Sequence, residues 1–339
     1  MKFWLKERGA GARKWRWLWS VILAIIFSAL TIWLSFRGIR LVQLKQAFRG
    51  VNYIWILLAT GNSLLTVYAL GWRWRQLLNP RARLSLGALF RLNILAQYAN
   101  ILAPARLGEL LRLYLTSKES RAEAGFVLGT MAAERILDVV VFVTGALFLS
   151  SYFALRSEIS LPLSLILGAA GLAGLVVLIT FKPALFITIL AKALFFLPQK
   201  WRRPLLDFVQ KGLEAFVYFK SPGRTIFILI LTLLLILSQA LTNYLVFLAF
   251  NLKLSFIAAV MIILAIQAGS LPPAAPGKIG VFEYAVILTL SLFSLPREQA
   301  LSYALMLHVV VYLPKIVLGG FYLARLPAGS ALKGNLKTG

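Results

Sequence analysis

The chain has no cysteine, a single histidine (His308), and only 14% charged residues. Without cysteine there is no disulfide, no thiolate nucleophile and no Cys-ligated metal. One histidine cannot build a multi-histidine metal site. It is also the only base open to a Ser-His-Asp triad, and it lies in an apolar segment. Acidic residues are scarce, 11 against 36 Lys and Arg, for a net charge of +25. Such a balance often marks nucleic-acid binding. Here no helix-turn-helix, zinc-finger or RNA-binding motif accompanies it, and no nucleic-acid partner is expected. What the sequence does have is apolar length. It is 60% hydrophobic with a mean hydropathy of +0.84, against about 45–50% apolar in a soluble domain. A soluble globule and a disordered chain are both excluded.

A spanning helix needs about 20 mostly apolar residues. Candidates are Trp17–Phe36, Tyr53–Trp72, Gly125–Tyr152, Leu161–Phe181, Thr225–Phe250 and Gln299–Leu323. The basic start, residues 1–16, is followed by Val21–Leu34 with no small-residue cleavage site, so a membrane helix rather than a signal peptide is expected. Placing that end inside puts most Lys and Arg in inside loops, among them Arg73, Arg75, Arg112, Lys118 and the basic residues from Lys182 to Arg224. Only Arg37, Arg40, Lys45, Arg49, Arg156, Lys253 and Arg297 fall outside. This bias predicts a multi-pass protein of the cytoplasmic membrane with both termini inside. Trp15, Trp17, Trp19, Trp72 and Trp74 fit an interfacial aromatic belt. Residues 183–219 fit no span. In their second part, Leu205, Leu206, Val209, Leu213, Phe216 and Val217 share a face, as in a cytoplasmic interfacial helix, with a solvated linker helix as the alternative.

Two further stretches, 84–116 and 254–293, are apolar but interrupted near the middle, as in helical hairpins that enter the bilayer and return. They resemble each other. Leu84-Ser85-Leu86-x-Ala88 matches Leu254-Ser255-Phe256-x-Ala258, and Gln97 matches Gln267. Pro104-Ala105-Arg106-Leu107-Gly108-Glu109 matches Pro276-Gly277-Lys278-Ile279-Gly280-Val281-Phe282-Glu283. Glu109 precedes Glu134 by the same 25 residues that separate Glu283 from His308. The charge bias puts the ends of the two hairpins on opposite sides. The predicted fold is therefore an all-α polytopic membrane protein built as an inverted repeat. It has about six spanning helices, two re-entrant hairpins and the interfacial helix. The first repeat covers 17–152, the second 161–325, and 326–339 is a cytoplasmic tail.

Ionisable residues inside a membrane are expensive and mark function. Here they are Arg106, Glu109, Glu134, Arg135, Asp138, Lys278, Glu283, His308 and Lys315. Pro104 and Pro276 suit first helical turns, which would place Arg106 and Lys278 at electropositive helix starts fit for an anion such as a lipid phosphate. Gly108, Gly277 and Gly280 would permit close approach. Each set also has a plain structural alternative. Arg106 and Glu109 can pair with each other, Glu134, Arg135 and Asp138 can form a packing network, and His308 can be a packed helix residue. Gln97 and Gln267 suit the satisfaction of broken-helix backbone. No cofactor and no catalytic constellation is expected.

At the stretches 104–112, 134–138 and 276–283 the chain resembles the lysylphosphatidylglycerol synthase transmembrane family, which includes the flippase domain of the bacterial multiple peptide resistance factor. The resemblance implies a flippase-like domain acting on a membrane phospholipid. The short basic end leaves no room for an aminoacyltransferase domain, so any lipid-modifying synthase or glycosyltransferase would be a separate partner. The expected function is translocation of an anionic or aminoacylated lipid headgroup through a midplane cavity. The alternatives are a membrane-embedded lipid-phosphate transferase and a small-anion or ion-coupled transporter.

Overall fold

The computed structural model describes residues 29–37, 46, 48–79, 81–103, 107–154, 178–269 and 275–325. Pro104, Arg106, segments 1–16 and 326–339, and most of the spans expected at Trp17–Phe36 and Leu161–Phe181 lie outside the described residues. Among the described residues every regular element is helical. In chain order they are α1 (Tyr53–Leu78), α2 (Leu86–Leu102), α3 (Leu107–Ser120), α4 (Ala124–Ala154), α5 (Pro183–Ala193) and α6 (Gln199–Leu213). A 3-10 segment (Glu214–Lys220), α7 (Pro222–Ala249), α8 (Phe256–Gly269), a 3-10 turn (Pro276–Lys278), α9 (Val281–Ser291) and α10 (Arg297–Ala324) follow.

Local chemistry sets the boundaries. The Asn52 side chain accepts the Ile54 N–H at the start of α1 (3.0 Å), and Ser85 accepts the Ala88 N–H at the start of α2 (3.2 Å). Both are N-caps that meet a backbone donor left over at a helix start. The repeated Leu-Ser motif therefore has a local meaning, because Ser85 and Ser255 each stand one residue before a helix. At the other ends Arg121, Asn251 and Ser294 take left-handed backbone (φ 56, 54 and 56). After Asn251 the Leu252 N–H returns to the Phe247 carbonyl at 2.9 Å, closing off α7.

Three helices, α1, α7 and α10, are long and apolar enough to cross a membrane, and no more than a third of each apolar window is buried. Large side chains such as Ile54, Leu57, Ile226 and Val317 are exposed on them. An apolar exterior of this extent is stable only in lipid. The spans expected at Tyr53–Trp72, Gly125–Tyr152 and Gln299–Leu323 fall within α1, α4 and α10, and the one expected at Thr225–Phe250 lies on α7 except for Phe250, one residue past its end. In each of the two interrupted stretches the described residues form two helices: α2 ends at Leu102 and α3 begins at Leu107, and α8 ends at Gly269 and α9 begins at Val281.

The chain divides into two compact units. One, here the terminal unit, comprises the described parts of Met1–Leu64, Arg91–Leu111 and Thr242–Gly339. The other, the mid-chain unit, comprises those of Leu65–Phe90 and Arg112–Leu241. The mid-chain core is built from Trp74, Leu77 and Leu78 of α1, Phe126, Val127 and Met131 of α4, and Phe216 and Tyr218 of the 3-10 segment. There α6 lies directly on α4. A Cβ on Gly129 would meet the Gly212 carbonyl oxygen at 2.0 Å, so the two backbones touch through glycine. The expected amphipathic helix is present, but it starts at Gln199 with Pro204 inside it and changes to 3-10 after Leu213. Phe216 is buried against the core, while Leu205 and Val217 remain exposed. In the terminal unit α9 packs between α8 and α10. Ala258, Ala259 and Ile262 of α8, Val286 and Leu290 of α9, and Leu301, Ala304 and Leu307 of α10 are all fully buried.

Candidate functional site

Among the described residues, each unit holds a buried cluster of ionisable side chains. In the mid-chain unit the centre is Glu134, on α4 and 4% exposed. Its Oε2 accepts a hydrogen bond from Arg112 Nη2 of α3 at 2.7 Å. Its Oε1 lies 3.5 Å from Arg73 Nη2 of α1. One helical turn on, Asp138 Oδ1 accepts from Arg73 Nη1 at 2.5 Å, and the same nitrogen reaches Thr232 Oγ1 of α7 at 3.3 Å. Glu134 and Asp138 share a face because residues four apart stack on a helix. The Arg112 guanidinium lies over the Trp74 ring, 3.6 Å from its centroid, and the Trp74 indole N–H donates to Thr130 Oγ1 at 3.0 Å. Two guanidiniums thus face two carboxylates. That balance makes burial tolerable, since a lone charge would have neither water nor partner. Arg73 Nε and Arg112 Nε are nevertheless buried with no hydrogen-bond acceptor among the described residues.

In the terminal unit the centre is Glu283 in the first turn of α9. Its Oε2 accepts the Gly280 N–H at 2.7 Å, a capping box closed on the helix's own start. Its Oε1 is 2.6 Å from His308 Nδ1 of α10. The imidazole lies against Tyr312 (ring centroids 4.2 Å) and Phe282 (4.8 Å). Lys315 Nζ lies 6.0 Å from the Tyr312 ring. The turn leading into α9 needs left-handed backbone at Gly277 (φ 70), Lys278 (φ 57) and Gly280 (φ 87). The two glycines adopt it without strain.

Of the expected site residues, Glu134 and Asp138 come together, as do Glu283 and His308. Arg135 is 61% exposed and only 3.9 Å from Asp138, so it is marginal to the network. Glu109 sits half-buried in the first turn of α3. Lys278 differs from expectation. It occupies the 3-10 turn opened by Pro276, ahead of α9 rather than in its first turn. The anion at that helix start is the chain's own Glu283. Gly108 does allow close approach, since a Cβ there would fall 1.9 Å from the Ala96 carbonyl oxygen. Its N–H is met by Asn100 Oδ1 at 2.8 Å, a task the sequence suggested for Gln97. Gln267 is exposed on α8.

Three residues depart from their sequence reading. Arg73 and Arg112, expected in inside loops, lie within helices and form the network, and Arg73 is 2% exposed. Trp74, expected in an interfacial belt, is fully buried beneath Arg112. A signal for Arg73 was present. It lies four residues before Leu77, as Trp74 does before Leu78, so a helix continuing to Leu78 carries Arg73 on its buried side.

Comparison with known proteins agrees with this architecture. The chain is 27% identical over 234 residues to the UPF0104 membrane protein MJ1078 of Methanocaldococcus jannaschii, covering 67% of this chain and 94% of that protein. It is 23% identical over 321 residues to MJ1595, another UPF0104 membrane protein of the same organism, covering 91% of this chain and 94% of that protein. The family described as the lysylphosphatidylglycerol synthase TM region matches residues 21–319, nearly the whole chain. That span takes in both helix breaks and both buried clusters, and the chain belongs to the lysylphosphatidylglycerol synthase transmembrane family.

Proposed function

We propose that the chain is a lipid translocase that moves a phosphate-bearing headgroup between leaflets while the acyl chains stay in the bilayer. The observation that carries this reading is the charge-balanced network of Arg73, Arg112, Glu134 and Asp138. Ionisable groups are rare within membrane segments and are retained there for function. The pairing of two guanidiniums with two carboxylates complements a headgroup that joins a phosphodiester to an ammonium, as in the lysylphosphatidylglycerol of the family's description. Arginine is the side chain best shaped to grip a phosphate through two donors. The uncommitted Nε donors of Arg73 and Arg112 supply such contacts without dismantling the network. A recess of about 490 Å³ lined by Gln76, Asn79, Tyr218, Gly223, Arg224 and Phe227 lies in the same unit, with Gln76 one turn beyond Arg73.

The finer architecture belongs to the same proposal. The matched order of broken and long helices (α1 to α4 against α7 to α10) fits an inverted repeat with two re-entrant hairpins and both termini inside. Transporters of that build bind substrate near the midplane where helices break. The test is a flip assay. The purified chain in liposomes is supplied with fluorescent phosphatidylglycerol, and leaflet exchange is followed by quenching. Exchange above that of protein-free liposomes is expected, with a loss of about tenfold or more in Glu134→Gln, because a charged hydrogen bond is worth about 1.5–3 kcal/mol. Absence of exchange for phosphatidylglycerol and its lysyl derivative alike would overturn the reading.

A further inference from the structure

The two cations of the network just described are permanent. Guanidinium does not lose its proton in proteins, so Arg73 and Arg112 cannot carry a proton across the membrane. The terminal unit is built differently. Its buried carboxylate faces the one histidine of the chain, and histidine is the side chain whose charge changes near neutral pH. We propose that the Glu283–His308 pair is a proton-binding site that couples lipid movement to a pH gradient. This rests on the translocase reading.

The geometry fixes where the proton goes. Glu283 accepts the Gly280 N–H at Oε2 and the His308 contact at Oε1. An ionised carboxylate only accepts, so the 2.6 Å contact requires the hydrogen on His308 Nδ1 and leaves Nε2 to take up another. A proton from water adds to the Nε2 lone pair. One N–H bond forms, none breaks, and the pair passes from a single negative charge to neutrality. Release reverses the step. The site is shielded, with side-chain exposures of 15% for His308 and 6% for Glu283.

The charged and titratable neighbours explain the coupling. From the 3-10 turn comes Lys278. From α10 come Lys315 and Tyr312, with Tyr303 about a turn and a half earlier. From α9 comes Tyr284, beside Glu283 in sequence. α8 contributes no titratable side chain. Lys278 and Lys315 are within electrostatic reach of each other. With the pair unprotonated, the Glu283 charge offsets these cations. With a proton on His308 that offset is cancelled, and the local field attracts an anion by one more charge. Proton and phosphate-bearing headgroup therefore bind together. Pro314, between Tyr312 and Lys315, withdraws an N–H from the α10 ladder and lets this turn deform as the charge changes.

The test uses the full chain in liposomes with fluorescent phosphatidylglycerol and a trapped pH dye. With the outside made more acidic by one pH unit, wild type is expected to move lipid inward up to about tenfold faster, since one unit is a tenfold driving ratio, and the lumen is expected to acidify in step. His308→Gln and Glu283→Gln should lose both responses. A gradient response that survives in His308→Gln overturns the proposal and leaves translocation standing. If wild type moves no lipid, the translocase reading fails, and the proton site is judged by nitrogen NMR of the single imidazole in micelles. An imidazole that changes protonation state between pH 5 and 9, at a pH altered by Glu283→Gln, supports the site. One that keeps a single state across that range overturns it.

Discussion

The two buried clusters solve one problem by different chemistry. Around Glu134 the carboxylates meet arginines, whose charge is permanent. Around Glu283 the carboxylate meets a histidine and a helix start. Alignment by spacing sets Glu134 against His308 and Asp138 against Tyr312, so corresponding helices carry different chemistry at matched positions. Arginine–carboxylate contacts tie α1, α3 and α4 together, whereas the Glu283–His308 contact ties α9 to α10 through the side chain that the proton proposal uses. The contrast teaches that one chain can stabilise buried carboxylates with a fixed cation in one place and with a histidine and a helix start in another.

The most damaging way to break this contrast is at Arg73. Arg73→Ala leaves Asp138 and Glu134 short of a cation and should cost about 3–5 kcal/mol, read as a large drop in the midpoint of thermal unfolding in detergent. Arg73→Lys should recover only part of it, because an ammonium cannot serve Glu134, Asp138 and Thr232 in one plane. Glu283→Ala comes next. It removes a helix cap worth about 1–2 kcal/mol and the histidine's partner together, and Glu283→Gln should restore most of the cap. Smaller again is Trp74→Phe, which keeps a ring under Arg112 but loses the bond to Thr130, at about 1 kcal/mol.

The smallest effect sharpens the contrast by its constancy. Lys211 on α6 bonds Glu123 at 2.8 Å on an exposed surface. That hydrogen bond, helped by the Glu123 charge, raises the Lys211 pKa. A raised lysine adds stability that is fully present below the ordinary value of about 10.4 and is lost only as pH rises through the higher folded-state value. Lys211→Ala should therefore lower the unfolding midpoint only slightly, as for an exposed pair, and by the same amount across pH 5 to 9.

Much of this was legible beforehand. The helix breaks near 104 and 276 follow from proline and small residues inside apolar runs, and Glu134, Asp138, Glu283 and His308 stand out as charges where hydrocarbon is expected. Arg73 and Arg112 were hidden by the reasoning that gave the topology. Counting every cation at the end of an apolar run as a loop charge assigns them to water, although α1 continues to Leu78 and α3 carries Arg112 inward. Trp74 was obscured in the same way, because an aromatic near a span end reads as a belt until its neighbour Arg73 is seen to be buried. The pairing of Glu283 with Gly280 escaped notice because glycine offers a backbone donor and no side-chain cue.

The helices on either side of the second break are short. α8 has 14 residues and α9 has 11, rising about 21 and 17 Å at 1.5 Å per residue, while a bilayer's hydrocarbon is about 30 Å thick. Neither can traverse it alone. In the re-entrant arrangement proposed above, the depth of the Gly277–Gly280 turn would be set by the acyl chains around it, and thickening or thinning the membrane would strain that turn at a cost of fractions of a kcal/mol per ångström. Lipid tail length would then act as a control on the protein, through the turn ahead of a helix too brief to span.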